Sequence, residues 1–223
     1  MMLFEGYFPQ LLLGTIVTIK LAVCASLIGI VIGLVGSLLE SIHNVYLRYL
    51  TAGIIFLVRG LPELLVLFFI YFGLTTLLGN IFSQYVDISP FVAGVAALSI
   101  IFGAYASQVF RGAFLAIDPG QIEAGKAIGF SRLQILLLIK LPQAWRHALP
   151  GLGNLCLVTL KDTAIVTLIG LSDMMNAAKM AASTTHQPFT FYLIAAGIYL
   201  VLTSMSQQIV NYFTVRANRY IHS

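Results

Sequence analysis

Charged side chains stand inside stretches of this sequence that are otherwise apolar. They are Lys20, Arg59, Glu63, Lys161 and Asp162. An ionised side chain at the centre of a bilayer costs at least about 2.5–3.5 kcal/mol, so such residues usually pair with one another or face a cavity. The chemistry open to this set is ionic recognition, in which carboxylates attract a cation and lysines an anion. The alternative is structural pairing, of Glu63 with Lys20 or of Lys161 with an acid.

The composition indicates that lipid is the solvent for most of the chain. Of 223 residues, 59% are hydrophobic and only 9% are charged, whereas soluble domains carry about 25% charged residues. The sequence contains no phosphate-binding G-x-x-x-x-G-K-[ST] loop, no metal-spaced His/Cys group and no G-x-S-x-G turn. These features argue against a soluble domain, against a cofactor bound by this chain and against an intramembrane enzyme. The net charge of +4 follows a membrane pattern and does not indicate nucleic-acid binding.

Five apolar segments are long enough to cross a membrane, which takes about 20 residues. They are residues 11–39, 50–78, 91–115, 149–171 and 191–213. Backbone polarity in lipid requires each of them to be helical. Counting about 1.5 Å per residue from the start of each segment places Lys20, Glu63 and Lys161 roughly at mid-membrane, where they are able to converge.

Lys and Arg residues gather on the cytoplasmic side of membrane proteins. With the N-terminus outside, only Lys179 falls on the outer side. The residues that then lie inside are Arg48, Arg111, Lys126, Arg132, Lys140, Arg146, Arg216 and Arg219. The sequence therefore predicts an external N-terminus, a cytoplasmic C-terminus and a cytoplasmic loop at residues 118–142.

The polar loop at residues 118–142 carries the signals of a helix, a turn and a second helix. Asp118 is suited to cap the first helix, Pro119 to its first position, and Gln121 has capping-box spacing. Gly129 is a natural helix stop. Ser131 then repeats the start signal, and we expect the second helix to end at Pro142 before the next span.

The first loop helix has the composition of a docking surface. Ala124, Gly125 and Ala127 are small enough to let it lie closely in a groove of another protein. Glu123 and Lys126, three residues apart, are able to interact on one face. An ordinary hairpin between two spans is the alternative.

A backbone break is predicted within the second span, at Arg59-Gly60-Leu61-Pro62-Glu63. Gly60 weakens a helix and Pro62 lacks the N–H that would continue it. Unwound backbone at membrane depth occurs only where it lines a cavity or is buried in protein, and broken helices with ionisable residues are typical of transporter substrate sites.

Two further patterns in the spans leave alternatives open. Tyr105, Ser107 and Gln108 add polar groups to the third span, either as hydrogen-bond partners between helices or as pathway lining. Gly29 and Gly33 form a G-x-x-x-G pattern, which lets helix backbones approach closely within the chain or between subunits.

Taken together, these motifs resemble those of the polar amino-acid permease family of bacterial ABC importers, and most of all its Q-type subunit of arginine and histidine systems. The loop resembles that family's E-A-A, then G, then I-x-L-P pattern, with Gly125 where alanine is frequent. The matching stretches are Arg59-Gly60-Leu61-Pro62-Glu63, Tyr105 to Gly112, Glu123 to Pro142, Ala148-Leu149-Pro150-Gly151 and Leu160-Lys161-Asp162-Thr163.

The resemblance implies an all-α, five-helix type I importer permease in the bacterial inner membrane, with one transmembrane domain over residues 1–223. Its partners would be ATPase subunits that use ATP and Mg, a periplasmic amino-acid-binding protein, and a second permease, expected to be a different M-type chain. Residues 118–142 would form the coupling loop. The ATPase-coupling candidates are Glu123, Ala124, Gly125, Lys126 and Gly129.

The resemblance also suggests a cargo. Many relatives are apolar where this chain has Glu63, whereas arginine- and histidine-type subunits carry an acid, so we expect a basic L-amino acid, arginine first. Histidine, lysine, ornithine and glutamine are the alternatives. Lys161 would attract the substrate carboxylate, with Asp162 holding Lys161 or meeting the α-amino group. Ser107 and Gln108 complete the substrate-binding candidates, although many relatives have Glu in place of Gln108.

Three other functions remain open on the sequence. An ATP-independent carrier or channel would explain the charges within the spans but not the capped polar loop. An intramembrane enzyme would need catalytic groups for which the sequence has no motif. A structural partner subunit would have a closed pathway of its own.

Overall fold

The computed structural model describes residues 2–82 and 88–218, and this part of the chain is helical with no β-strand. These described ranges contain nine α-helices, one π-helical segment and one 3-10 segment. They are α1 (Met2–Glu40), α2 (Val45–Gly60), α3 (Glu63–Phe82), α4 (Pro90–Leu115), α5 (Pro119–Ala127), α6 (Arg132–Gln134), the π segment (Ile135–Lys140), α7 (Leu141–Asp162), the 3-10 segment (Thr163–Ile169), α8 (Met174–Thr185) and α9 (Pro188–Asn218). The all-α architecture expected from the composition is confirmed.

Five helical stretches in the described residues are long and apolar enough to cross a membrane. They are Gly6–Glu40, Glu63–Ile81, Pro90–Leu115, Arg132–Ile169 and Pro188–Ala217. This number agrees with the sequence prediction. Arg219, one of the residues used to predict the orientation, lies outside the described residues.

The second predicted span is not a continuous helix. Residues 50–78 fall on two helices, because α2 ends at Gly60 and α3 begins at Glu63. Leu61 has φ −91° and ψ 145°, the extended conformation favoured before a proline. Pro62 cannot donate a hydrogen bond back into α2. The predicted break is therefore confirmed, and α3 alone supplies the apolar length of a span.

The return from the polar loop also differs from prediction. The second loop helix does not end at Pro142, because α6, the π segment and α7 form one stretch from Arg132 to Ile169. Pro142 is the second residue of α7. Proline removes one backbone donor and crowds the carbonyl four residues earlier. The π-helical register of Ile135–Lys140 precedes it, where one extra residue per turn relieves this conflict.

Helices α1 and α4 form the close-packed centre of the fold. A Cβ on Gly29 would lie 2.6 Å from the ring of Phe102, and one on Gly33 would lie 2.5 Å from Ala106. The G-x-x-x-G pattern therefore serves packing within the chain. It sets the lateral position of α4, which carries the polar residues of the third span.

A further helix, α8, for which the sequence carries no strong signal, follows the 3-10 segment. Asp173 caps α8 by accepting a hydrogen bond from the backbone N–H of Asn176 at 2.9 Å. Its second carboxylate contact, 2.6 Å to Thr167 Oγ1, joins α8 to the 3-10 segment. The backbone N–H of Met174 also donates to Thr18 Oγ1 on α1, so α8 is fastened at its first turn.

Candidate functional site

Glu63 and Asp162 come together from two different helices. Glu63 is the first residue of α3, directly after the break at Pro62, and Asp162 is the last residue of α7. Their carboxyl groups lie close enough to interact electrostatically. Both side chains are half-buried. Two carboxyl groups so placed repel unless a proton or a cation lies between them.

An apolar cluster beneath the two acids fixes their separation. It joins α3, α4 and the 3-10 segment through Leu67, Leu98 and Val166, which are at most 1% exposed. Because α3 begins at Glu63 and the 3-10 segment follows Asp162 directly, packing of these two elements holds both acids at one edge of the cluster.

Lys161 and Lys20 differ in their contacts with the two acids. Lys161 interacts electrostatically with Asp162 and its side chain is exposed. Lys20 is exposed on α1, and it forms no salt bridge with Glu63, since the described residues contain one salt bridge and that joins Arg111 to Glu40. The considered pairing of Glu63 with Lys20 is therefore not found.

Arg59 lies on the α2 side of the break. Its guanidinium carbon lies 5.3 Å from the ring centroid of Tyr105 on α4, within the range of a cation–π contact. Arg59 is also in the last turn of α2, where a positive charge is favoured by the helix dipole. The predicted polar residue Tyr105 thus supports the broken segment.

Ser107 and Gln108 belong to a second polar cluster, centred on Glu40. Gln108 Nε2 donates to the Glu40 carboxylate at 3.1 and 3.3 Å, and Arg111 Nη1 lies 3.5 Å from it. Ser107 Oγ donates to the backbone carbonyl of Ala104 at 2.8 Å and lies 3.5 Å from Gln108 Nε2. These contacts tie the last turn of α1 to α4.

Glu40 was not singled out from the sequence. Its side chain is only 3% exposed, although it is the last residue of a long apolar helix. The available signal was the spacing of Gln108 and Arg111, which places an amide and a guanidinium on one face of α4. The role of these two side chains depends on an acidic partner from another helix, and that partner is Glu40.

Side-chain and glycine caps shape the polar loop. Asp118 accepts from the backbone N–H of Gly120 at 2.8 Å, and Pro119 begins α5. Gln121 does not close a capping box; its side-chain oxygen accepts instead from Gln143 Nε2 at 2.5 Å, joining α5 to the first turn of α7. The predicted cap at Asp118 is therefore confirmed.

The turn after α5 is a Schellman motif. Gly129 has φ +88°, the left-handed conformation that favours glycine. The backbone N–H of Phe130 donates to Gly125 O and that of Gly129 to Lys126 O, both at 3.0 Å. Ser131 then forms a reciprocal capping box with Gln134. The predicted glycine stop and second helix start are confirmed.

Helix α5 has a buried side and an exposed side. Gly125 is buried, and a Cβ there would lie 2.7 Å from Ile139 Cδ1. Gly125 thus faces the π segment of this chain and not an open groove. Glu123, Ala124 and Lys126 are exposed, so they form the side of α5 that is free to meet another protein.

The sequence of this chain matches a known transport family. The family described as "Binding-protein-dependent transport system inner membrane component" matches residues 27–219. The chain belongs to this family. It is therefore an inner-membrane permease subunit and not an enzyme, and the ATPase of such an ABC importer is a separate chain. Members of this family work with that ATPase and with a substrate-binding protein.

Relatives extend the match over nearly the full length. The arginine ABC transporter permease protein ArtQ of Haemophilus influenzae is 43% identical over 218 residues, covering 98% of each chain. The Escherichia coli ArtQ is 42% identical over 220 residues, covering 91% of this chain and 92% of the relative. The histidine/lysine/arginine/ornithine transport system permease protein HisQ of E. coli is 38% identical and covers 92% of each.

Solved structures support the same architecture. A chain from the "Crystal structure of an amino acid ABC transporter with histidines" aligns with a TM-score of 0.83 and 34% identity, covering 96% of each chain. A chain of the MetNI methionine ABC transporter in an inward-facing conformation aligns with a TM-score of 0.78, covering 96% of this chain and 98% of that one, but shares only 19% identity. The second likeness establishes the type I importer permease fold alone.

Proposed function

We propose that this chain is the permease subunit of an importer for a basic L-amino acid, with arginine as the first candidate, energised by ATP hydrolysed on a separate ATPase. The observation that carries the proposal is the meeting of Glu63 and Asp162. A guanidinium or ammonium group placed between them would relieve the repulsion of the two carboxylates. It would also donate charge-assisted hydrogen bonds to both. The names of the arginine-type relatives point to the same class of cargo.

The remaining parts of an amino acid have candidate partners nearby. Lys161 is exposed and adjacent in sequence to Asp162, so its ammonium group would attract the substrate carboxylate. Ser107 and Gln108 belong to the Glu40 cluster, and their hydrogen-bond donors are already used within the chain. Their proposed role is therefore through that cluster. A direct contact of either residue with substrate stays a prediction. Histidine, lysine, ornithine and glutamine remain the rival cargoes.

Coupling would act through α5 and its neighbours. We propose that residues 118–142 form a cytoplasmic loop within a single permease domain spanning residues 1–223, with the N-terminus outside. Glu123, Ala124 and Lys126 would contact the ATPase, while Gly125 and Gly129 would hold the helix in place. Helix α5 packs on the π segment through Gly125 and Ile139, so displacement of α5 would be passed to α7, which ends at Asp162.

The proposed assembly has further components. Two ATPases would bind and hydrolyse ATP with Mg, and this chain would bind neither. Within the described ranges, no three His, Cys, Asp or Glu side chains are arranged to hold a metal ion. The second permease would be a different, M-type chain, and a periplasmic amino-acid-binding protein would deliver the substrate. We propose no interaction with nucleic acid.

The test is uptake of radiolabelled arginine into proteoliposomes that contain the permease, its ATPase and its binding protein. Uptake should require internal ATP and should stop when Glu123 and Lys126 are both replaced by alanine, with loss of ATPase co-purification. The control is the double variant R48A/K179A, whose exposed side chains lie outside residues 118–142.

Two outcomes would overturn the proposal. Arginine uptake without any ATPase would identify an ATP-independent carrier or channel. Full assembly and coupling of the E123A/K126A variant would exclude α5 as the docking helix.

A further inference from the structure

An apolar crevice of about 960 Å³ opens between α1, α7 and α9, away from the Glu63–Asp162 pair. Its volume is in the upper part of the range of small-molecule sites, about 300–1,000 Å³. Apolar side chains from all three helices line it, among them Ile30, Leu34, Trp145, Leu149, Val210 and Phe213. We refer to it below as the arginine crevice, because Arg146 and Arg216 complete its lining.

A close helix contact lies in the wall of the arginine crevice. Gly153 on α7 lies directly against Val210 on α9, so no side chain from α7 fills the space at that level. Along α7 the lining runs from Cys156 and Gly153 to Leu141 and Pro142 at the start of the helix. The crevice therefore extends toward the end of α7 that follows the polar loop.

The two arginines give the crevice an uncompensated positive charge. No acidic residue is among its lining residues, and neither arginine takes part in a salt bridge within the described residues. Arg216 Nη1 donates to the hydroxyl of Tyr212 at 3.0 Å, which leaves its charge unneutralised. Two guanidinium groups beside an apolar space match a ligand with an anionic head and a hydrocarbon tail.

Aromatic residues place the charged end of the crevice at the membrane surface. Trp145 is 41% exposed and stacks on Phe110, with 6.3 Å between ring centroids. Tryptophan and tyrosine collect at the level of lipid headgroups, and Tyr212 lies one helical turn before Arg216. The arginines therefore stand where a phosphate group would be, with the apolar lining at the depth of acyl chains.

We infer that the arginine crevice is a binding site for an anionic phospholipid, whose phosphate is held by Arg146 and Arg216 and whose acyl chains lie against α1, α7 and α9. A second protein chain would bury both guanidinium groups and would need acids opposite them, since unpaired buried charges are strongly destabilising. A phospholipid supplies the negative charge and the apolar surface in one molecule.

Trp145 permits a direct measurement, because it is the only tryptophan of the chain. The full-length chain is reconstituted in phosphatidylcholine nanodiscs that contain, as a minor component, either phosphatidylglycerol or phosphatidylcholine with brominated acyl chains. Brominated phosphatidylglycerol should quench Trp145 fluorescence far more strongly than brominated phosphatidylcholine at the same fraction. Each surface arginine attracts anionic lipid enough that the pair should favour it on the order of 30-fold.

Charge-matched variants separate the site from general attraction. R146Q/R216Q should abolish the preference for phosphatidylglycerol, whereas R48Q/R132Q, which removes the same charge elsewhere, should retain it. Equal quenching by the two lipids in the wild-type chain would mean ordinary surrounding lipid and would overturn the inference. Absence of quenching by either would mean that protein fills the crevice, with the same consequence. The wild-type comparison needs no variant to fold.

Discussion

Gly125 on α5 lies directly beneath Ile139 of the π segment, so close that a Cβ on the glycine would be 2.7 Å from Ile139 Cδ1. This contact joins the exposed loop helix to the helix that returns into the membrane. The small residue at this position thus serves packing within the chain. Its neighbours Ala124 and Lys126 are exposed and are candidate contacts of the proposed ATPase.

Replacing Gly125 should therefore act differently from replacing Ala124. Leucine at Gly125 overpacks the contact with Ile139, which costs about 1–3 kcal/mol, and should lower both the thermal unfolding temperature and ATPase association. Leucine at Ala124 should lower association alone. G125A should be nearly neutral, because the flexible end of Ile139 can move and alanine favours the helix by about 1 kcal/mol.

Unfolding temperatures in detergent and ATPase pull-down on the same samples check this prediction. Equal losses of stability in G125L and A124L would show that Gly125 does not carry the packing of α5.

The Glu40 cluster should stabilise the junction of α1 and α4. In Glu40→Ala, the half-buried amide of Gln108 loses its acceptor, and leaving a buried donor unsatisfied costs about 1–3 kcal/mol. The salt bridge adds little, because the Arg111 side chain is 55% exposed and surface pairs contribute about 0–1 kcal/mol. R111A should therefore be milder than E40A.

A double-mutant cycle of Glu40 and Gln108, read from denaturant or thermal unfolding, measures the coupling directly. We expect a coupling clearly larger than that of Glu40 with Arg111. Additive effects of E40A and Q108A would mean that the hydrogen bonds contribute nothing.

Asp173 should make stability depend on pH. It is fully buried, and burial raises the pKa of its carboxyl above the ordinary value of 3.8, against the lowering effect of its hydrogen bonds to Thr167 and Asn176. Its Oδ2 has no hydrogen-bond partner within the described residues. Because the native pKa is raised, the contribution of the protonated Asp173 carboxyl to the stability of the fold is complete below the unfolded-state pKa. That contribution is lost as the pH rises through the native pKa.

The comparison variant is Asp173→Asn, which keeps the acceptor at Oδ1 but cannot titrate. Between the ordinary carboxyl pKa and the raised native value, the unfolding temperature of the wild type should fall with rising pH relative to D173N. D118N, at the exposed cap of α5, is the control and should follow the wild type. Parallel pH profiles for wild type and D173N would contradict the burial argument.

Much of this fold follows from local sequence chemistry. Apolar length predicts five spans, Pro62 predicts the break, and Gly129 and Ser131 predict the turn of the loop, because each of these signals depends only on nearby backbone. The continuation of the helix through Pro142 was missed, since the π segment that accommodates this proline has no distinct sequence signal.

The missed parts of the site depend on which helix faces meet. Glu40 is a buried partner of Gln108 only because α1 packs on α4 through Gly29 and Gly33. Counting residues from the start of the first span placed Lys20 at the depth of Glu63, but the Lys20 side chain lies on an exposed face of α1. Position along a helix was predictable here, whereas the direction of a side chain required the tertiary contacts.

Recognition of a cationic side chain by Glu63 and Asp162 predicts selective binding of arginine, which is measured on the purified permease–ATPase complex without its binding protein. Citrulline is the matched neutral competitor, having a urea group in place of the guanidinium. Wild type should prefer arginine by about 10–100-fold, from a charge-assisted hydrogen bond of about 1.5–3 kcal/mol. E63Q and D162N should each lose most of that preference, and D118N should retain it. An unchanged preference in correctly folded E63Q and D162N, or equal binding of arginine and citrulline by the wild type, would show that these two acids do not recognise the cationic side chain.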